Sequence, residues 1–163
     1  MSLKLVIGRC ALLFSSTALL LQATGTSNTC DLNGDGVVNA IDVQLLVNME
    51  LGATSCSANV GDVLGCSDAA RQVIIKSALG QGCHFNYLNW TASPSPGVIG
   101  YNIYRGTSPG GESAAPLNTG GPVNGLSFAD VNTVSGTTYY YTITATDGMN
   151  ESAASEEIST TAQ

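Results

Sequence analysis

Six residues of the run CDLNGDGVVNAID, namely Asp31, Asn33, Asp35, Val37, Asn39 and Asp42, fall at places 1, 3, 5, 7, 9 and 12 of a single loop. Five of them carry side-chain oxygens, and the place held by Val37 requires only a backbone carbonyl. A donor set of this hardness and spacing suits calcium rather than zinc or copper. Gly36 stands at place 6, where the chain must turn sharply and a residue without a Cβ does so at no steric cost.

A loop of this kind functions only if a rigid element carries its last ligand. The stretch AIDVQLLVNMELG directly after Asn39 supplies one, with apolar residues at helical spacing and a glycine, Gly52, to end it. Val43, Leu46, Val47 and Leu51 form one stripe, and Ile41, Leu45 and Met49 another. A two-helix unit buries only one such stripe, so the second predicts a contact surface. Place 12 is Asp42 and not the glutamate usual in EF-hand loops, so a shorter arm must reach the ion.

A second copy follows in CSANVGDVLGCSDAARQVIIKSALG. Aligning Leu79-Gly80 with Leu51-Gly52 puts Asn59, Gly61, Val63, Ser67 and Ala70 where the first copy has Asp31, Asn33, Asp35, Asn39 and Asp42. Every carboxylate is lost from the ligand places, and weak or no calcium binding is expected. Cys66 sits at place 8 of this copy, where a disulfide can replace the ion as a staple.

The amino terminus MSLKLVIGRCALLFSSTALLLQATG, residues 1–25, has the layout of a secretory signal peptide: Lys4 and Arg9, an apolar run, then small residues. Its removal takes Cys10 and leaves Cys30, Cys56, Cys66 and Cys83, an even set that reads as a disulfide framework in an exported chain. Four cysteines allow three pairings, and the sequence alone does not choose among them. The repeat alignment favours Cys56–Cys66 within the second loop and Cys30–Cys83 across the ends of the pair. Only Arg71, Lys76 and Arg105 then remain as cations against 12 carboxylates. Such a surface repels nucleic acid and anionic lipid, and no membrane insertion is expected after cleavage.

The duplicated loop and helix, without the leading helix of an EF-hand, resembles the dockerin family over Cys30 to about Gly80. The residues that carry the likeness are Asp31, Asn33, Asp35, Gly36, Asn39 and Asp42, then Leu46 and Gly52. The resemblance implies a calcium-folded module that docks on a cohesin-like domain. Carried over position by position, its contacts are Ala40, Ile41, Val47 and Asn48, with Asp68, Ala69, Ile75 and Lys76 in the second copy.

Beyond Cys83 the pattern changes to alternating runs rich in Tyr, Thr and Ile, separated by Gly, Pro, Ser and Asn. It resembles a fibronectin type III domain, an immunoglobulin-like all-β sandwich. Trp90 is expected in the core of an early strand, with Tyr101 and Ile103 facing it from the next. Tyr139 takes the tyrosine-corner place, and Tyr141, Ile143 and Ala145 alternate inward behind it. Only six residues separate Cys83 from Trp90, so the first strand is expected to be short or absent. Asn86 stands where an apolar residue is expected.

The sequence therefore predicts two small domains, an all-α EF-hand-like loop-helix pair at 30–83 and an all-β sandwich at 84–163. No catalytic constellation is visible, and the reading is a secreted, extracellular or cell-surface adaptor, not an enzyme, associated with polysaccharide-degrading assemblies through its dockerin likeness. The alternative is a subunit of an extracellular fibre whose partners are other copies of itself. In that case residues 24–29 or the tail after Glu157 would add a strand to a neighbour.

Overall fold

The computed structural model describes residues 30–58, 60 and 63–162. The expected leader at 1–25, the candidate strand donor at 24–29, and Asn59 and Gly61 of the second loop lie outside the described residues. The chain divides into two compact units that meet in sequence between Cys83 and His84.

In the first unit, helix α1 spans Ala40–Glu50 and helix α2 spans Asp68–Ala78. Asn39 caps α1 by accepting the Ile41 N–H at 2.8 Å, and the Asp42 carboxylate in turn accepts the Asn39 N–H at 2.9 Å. This reciprocal pair satisfies donors that a helix start otherwise leaves bare. Ser67 caps α2 through the Ala70 N–H, and Gly52 and Gly80 follow the two C-caps with φ of 72° and 78°. The helices pack on each other.

The buried apolar side chains of this unit are Cys30, Leu46, Ala58, Val60, Leu64, Ala70, Val73 and Ile74. Neither expected stripe of α1 is buried as a whole. Leu46 is enclosed, Val43 and Val47 are half-buried, and Leu51, at the C-cap, is 78% exposed. Arg71 of α2 pairs with Glu50 at the end of α1 and with Asp68 one turn back. Disulfides Cys30–Cys83 and Cys56–Cys66 staple a core of the size that seldom suffices alone.

The second unit is a β sandwich. Strands β1 (Asn86–Asn89) and β3 (Ser127–Asp130) form one antiparallel sheet; β2 (Gly100–Gly106), β4 (Thr138–Thr146) and β5 (Ile158–Thr161) form the other, in the order β2-β4-β5. Register pairs Leu88 with Phe128, Ile103 with Ile143, and Tyr139 with Thr160. Inward positions alternate as a half-buried strand requires: Leu88, Trp90, Tyr101, Ile103, Tyr139, Tyr141, Ile143 and Ala145 make one core with Ala162. The Trp90 ring meets Tyr101 edge-on at 5.4 Å. The Tyr139 hydroxyl accepts the Val134 N–H at 3.0 Å, which ties the corner before β4.

One expectation is corrected here. Asn86 is no misplaced polar residue: it is buried and donates to the Tyr141 hydroxyl at 2.8 Å. The start of the tail after Glu157 forms β5, the edge strand of its own sheet. Among the described residues no strand precedes β1 in this unit.

Candidate metal centre

The loop before α1 is organised around its carboxylates. Asp31 accepts the amides of Gly34 and Gly36, one on each oxygen, both at 2.8 Å. Those glycines have φ of 73° and 88°, a region other residues enter only with strain, and this is what lets both N–H groups face one side chain. Asn33 and Asp35 are linked by Asn33 Nδ2 donating to Asp35 Oδ2 at 2.8 Å. Asp35 Oδ1 accepts the Val37 amide at 2.9 Å.

Asp42 closes the loop from inside the helix. Its Oδ1 accepts the amides of Leu32 at 2.8 Å and Asn33 at 3.3 Å, while Oδ2 accepts that of Asn39. It is fully buried, and none of the ion pairs formed among the described residues includes it. A buried carboxylate ordinarily has a cation beside it.

The donor types, though not their present spacing, suit a hard cation. Asp31, Asn33, Asp35, Asn39, Asp42 and the Val37 carbonyl are all oxygen donors on one short segment. A carboxylate has about four lone-pair sites, so the two bonds to each of Asp31 and Asp35 leave acceptor capacity. In this arrangement each carboxylate faces amides, and among the described residues no three His, Cys, Asp or Glu side chains stand close enough to share an ion.

The second loop is different in kind. Ala70, in the place of Asp42, is equally buried but offers no oxygen. Val63 is 41% exposed, and Ser67 serves as the N-cap of α2.

The residues carried over as contacts sit on one side of α1, since 40–41 and 47–48 lie two turns apart. Ala40 and Ile41 are exposed, and Val47 and Asn48 half-buried; Ile41 is exposed by 55%. Asn48 also accepts from Gln44 Nε2 at 2.9 Å, which fixes its amide. In α2, Asp68 and Ile75 are exposed, and Ala69 and Lys76 half-buried. Asp68 is held by Arg71, so the two starts differ in charge and in freedom.

A second polar constellation lay beyond sequence reasoning. Glu151 accepts from Asn102 at 2.6 Å, Tyr104 at 2.7 Å and Thr144 at 2.6 Å on the solvent side of the β2–β4 pair. The hydrogen bonds from Thr144 and Tyr104 hold its carboxyl below the usual range, while burial and Glu151 itself push the Tyr104 hydroxyl up. These donors are spent on one another, which makes the group a clasp between strands.

No protein-family model matches the chain, and no curated protein does. Solved structures overlap with part of it. An Fn3-like protein from Clostridium thermocellum shares 29% identity over 46% of this chain and 73% of that one, with a TM-score of 0.40. A beta-1,2-glucanase from Parabacteroides distasonis shares 24% over 48% and 10%, with a TM-score of 0.37. Pectate lyase PelI from Erwinia chrysanthemi shares 26% over 47% and 24%, also with a TM-score of 0.37. The chain thus spans only a small part of the two enzymes. Its two disulfides are the usage of an oxidising compartment, and no helix among the described residues is long and apolar enough to cross a membrane.

Proposed function

We propose that the protein is a secreted, non-catalytic adaptor. In this reading the unit ending at Cys83 is a dockerin-like module that binds one calcium ion through Asp31, Asn33, Asp35, Val37, Asn39 and Asp42. The unit from His84 is a fibronectin type III-like spacer. The observation that carries the reading is Asp42: a fully buried carboxylate with no cationic partner among the described residues, reaching from α1 to the start of an all-oxygen loop. Calcium, when bound, would supply a positive charge beside these carboxylates. The chain's own part is to fix the loop through the Asp31 bonds to Gly34 and Gly36 and to seat the start of α1.

With the loop fixed, Ala40, Ile41, Val47 and Asn48 present a mixed apolar and polar patch to a cohesin-like partner. The test is binding of the signal-free protein to a panel of cohesin domains by calorimetry, with calcium and with chelator. Binding to a panel member that disappears with chelator or with Ile41→Asp, and survives Ala69→Asp, supports docking through α1. Equal losses from both substitutions would contradict it. Filaments of the protein alone under the electron microscope would favour self-assembly into a fibre.

A further inference from the structure

The two loops of the helical unit are closed by different chemistry over equal lengths of chain, four residues out of register in the repeat alignment. Asp42, the third residue of α1, reaches the Leu32 amide 10 residues back. In the second copy Ala70 cannot do this, and the closure is covalent: Cys66, directly before the N-cap Ser67, is bonded to Cys56, also 10 residues back. The bridge then lies against the last turn of α1, where Cys66 Sγ is 3.6 Å from Met49 Sδ. Arg71 likewise joins α2 to Glu50 at that far end. The start of α2 is thus fastened to parts of the unit remote from the calcium loop.

Resting on the calcium reading above, we infer that the module has two independent closures, one dependent on the ion and one covalent. Removing the ion releases residues 31–46 and leaves α2 folded. Removing the Cys56–Cys66 bridge releases the start of α2 and leaves the first loop able to bind. Closing a loop by a bond removes entropy from the unfolded chain whether or not a ligand is present. The α2 surface carrying Ala69, Ile75, Lys76 and the 70%-exposed Leu79 therefore persists where calcium is scarce, while the Ala40 and Ile41 part of the α1 surface does not.

Amide hydrogen exchange on the oxidised, signal-free protein tests this, with peptides from β4 as an internal reference. At calcium about a hundred times its dissociation constant, chelation should cost peptides from 31–46 about a hundredfold in protection, and peptides from 67–79 less than about threefold. In the Cys56→Ala/Cys66→Ala variant, which keeps Cys30–Cys83, α2 should lose protection in saturating calcium while 31–46 holds it. Equal loss from both helices on chelation of the unsubstituted protein would overturn the independence and leave the calcium reading standing. Unchanged protection of 31–46 on chelation would overturn both. Full α2 protection in the double variant would remove the bridge from the account.

Discussion

Asp130 gathers two side-chain donors at one end of the sandwich. Arg105 Nη1 and the Tyr141 hydroxyl donate to its Oδ2 at 2.7 and 2.8 Å, and Asn86 donates to that hydroxyl in turn. Arg105 also lies over the Tyr139 ring at 4.8 Å. Burial lowers the guanidinium's affinity for its proton, but the bond to Asp130 and its charge more than offset this, and the net shift is upward. Burial, with the Asp130 charge, pushes the Tyr141 hydroxyl well up, so it stays a donor. Removing Asp130 leaves the half-buried Arg105 with its bond to the Asn132 carbonyl but takes the acceptor from the buried Tyr141 hydroxyl, at a cost of about 1–3 kcal/mol. Asp130→Ala should lose that much in chemical denaturation followed by Trp90, the chain's single tryptophan and a core residue. Asn86→Leu restores the apolar residue that alternation expects, and should still cost about 1 kcal/mol because the Tyr141 oxygen loses a donor. The periodicity around Trp90 and Tyr139 was legible because it is local. The role of Asn86 was not, since its partner lies 55 residues away.

Strand β4 is longer than its partner β5, and side chains complete the ladder. Ile143 N donates to Ser155 Oγ at 3.1 Å and Ala145 N to Ser152 Oγ at 3.0 Å, while the amides of Ser155 and Ser152 return bonds to the same two residues. A buried N–H without an acceptor costs about 1–3 kcal/mol, so Ser155→Ala should destabilise the sandwich by that amount and Ser155→Thr should recover much of it. Glu151 clasps β2 and β4 from the same segment. Its carboxyl is held below the ordinary 4.5, so its ionised form stabilises the fold above about pH 4.5, and that contribution is lost as pH falls through the lowered value. Glu151→Gln should accordingly lower stability at neutral pH and flatten its decline below about pH 4.5, a difference read from denaturation midpoints against pH. In the segment MNESAASEE the serines substitute for a strand's backbone and leave no alternation for the sequence to show. The helices were easier: Asn39 and Ser67 mark their starts, and Gly52 and Gly80 follow their ends.

At the scale of the molecule, two units of different construction share one chain. The sandwich has a continuous aromatic core, whereas the helical unit has few buried side chains and depends on closures. Chain-entropy arithmetic gives about 3 kcal/mol for the 10-residue Cys56–Cys66 loop and about 4 kcal/mol for the 53-residue Cys30–Cys83 loop. In the calcium reading proposed above, the ion at about a hundred times its dissociation constant would add roughly 2.7 kcal/mol, an amount comparable to either bridge. The spacing of the six oxygen-bearing positions was readable because all fall within one loop, and the burial of Asp42 was not, because burial is a property of the packed unit. Titration calorimetry of the oxidised, signal-free protein with calcium tests the central claim most directly. The account predicts one strong site, abolished by Asp35→Ala. No heat of binding, or two equal sites, would contradict it.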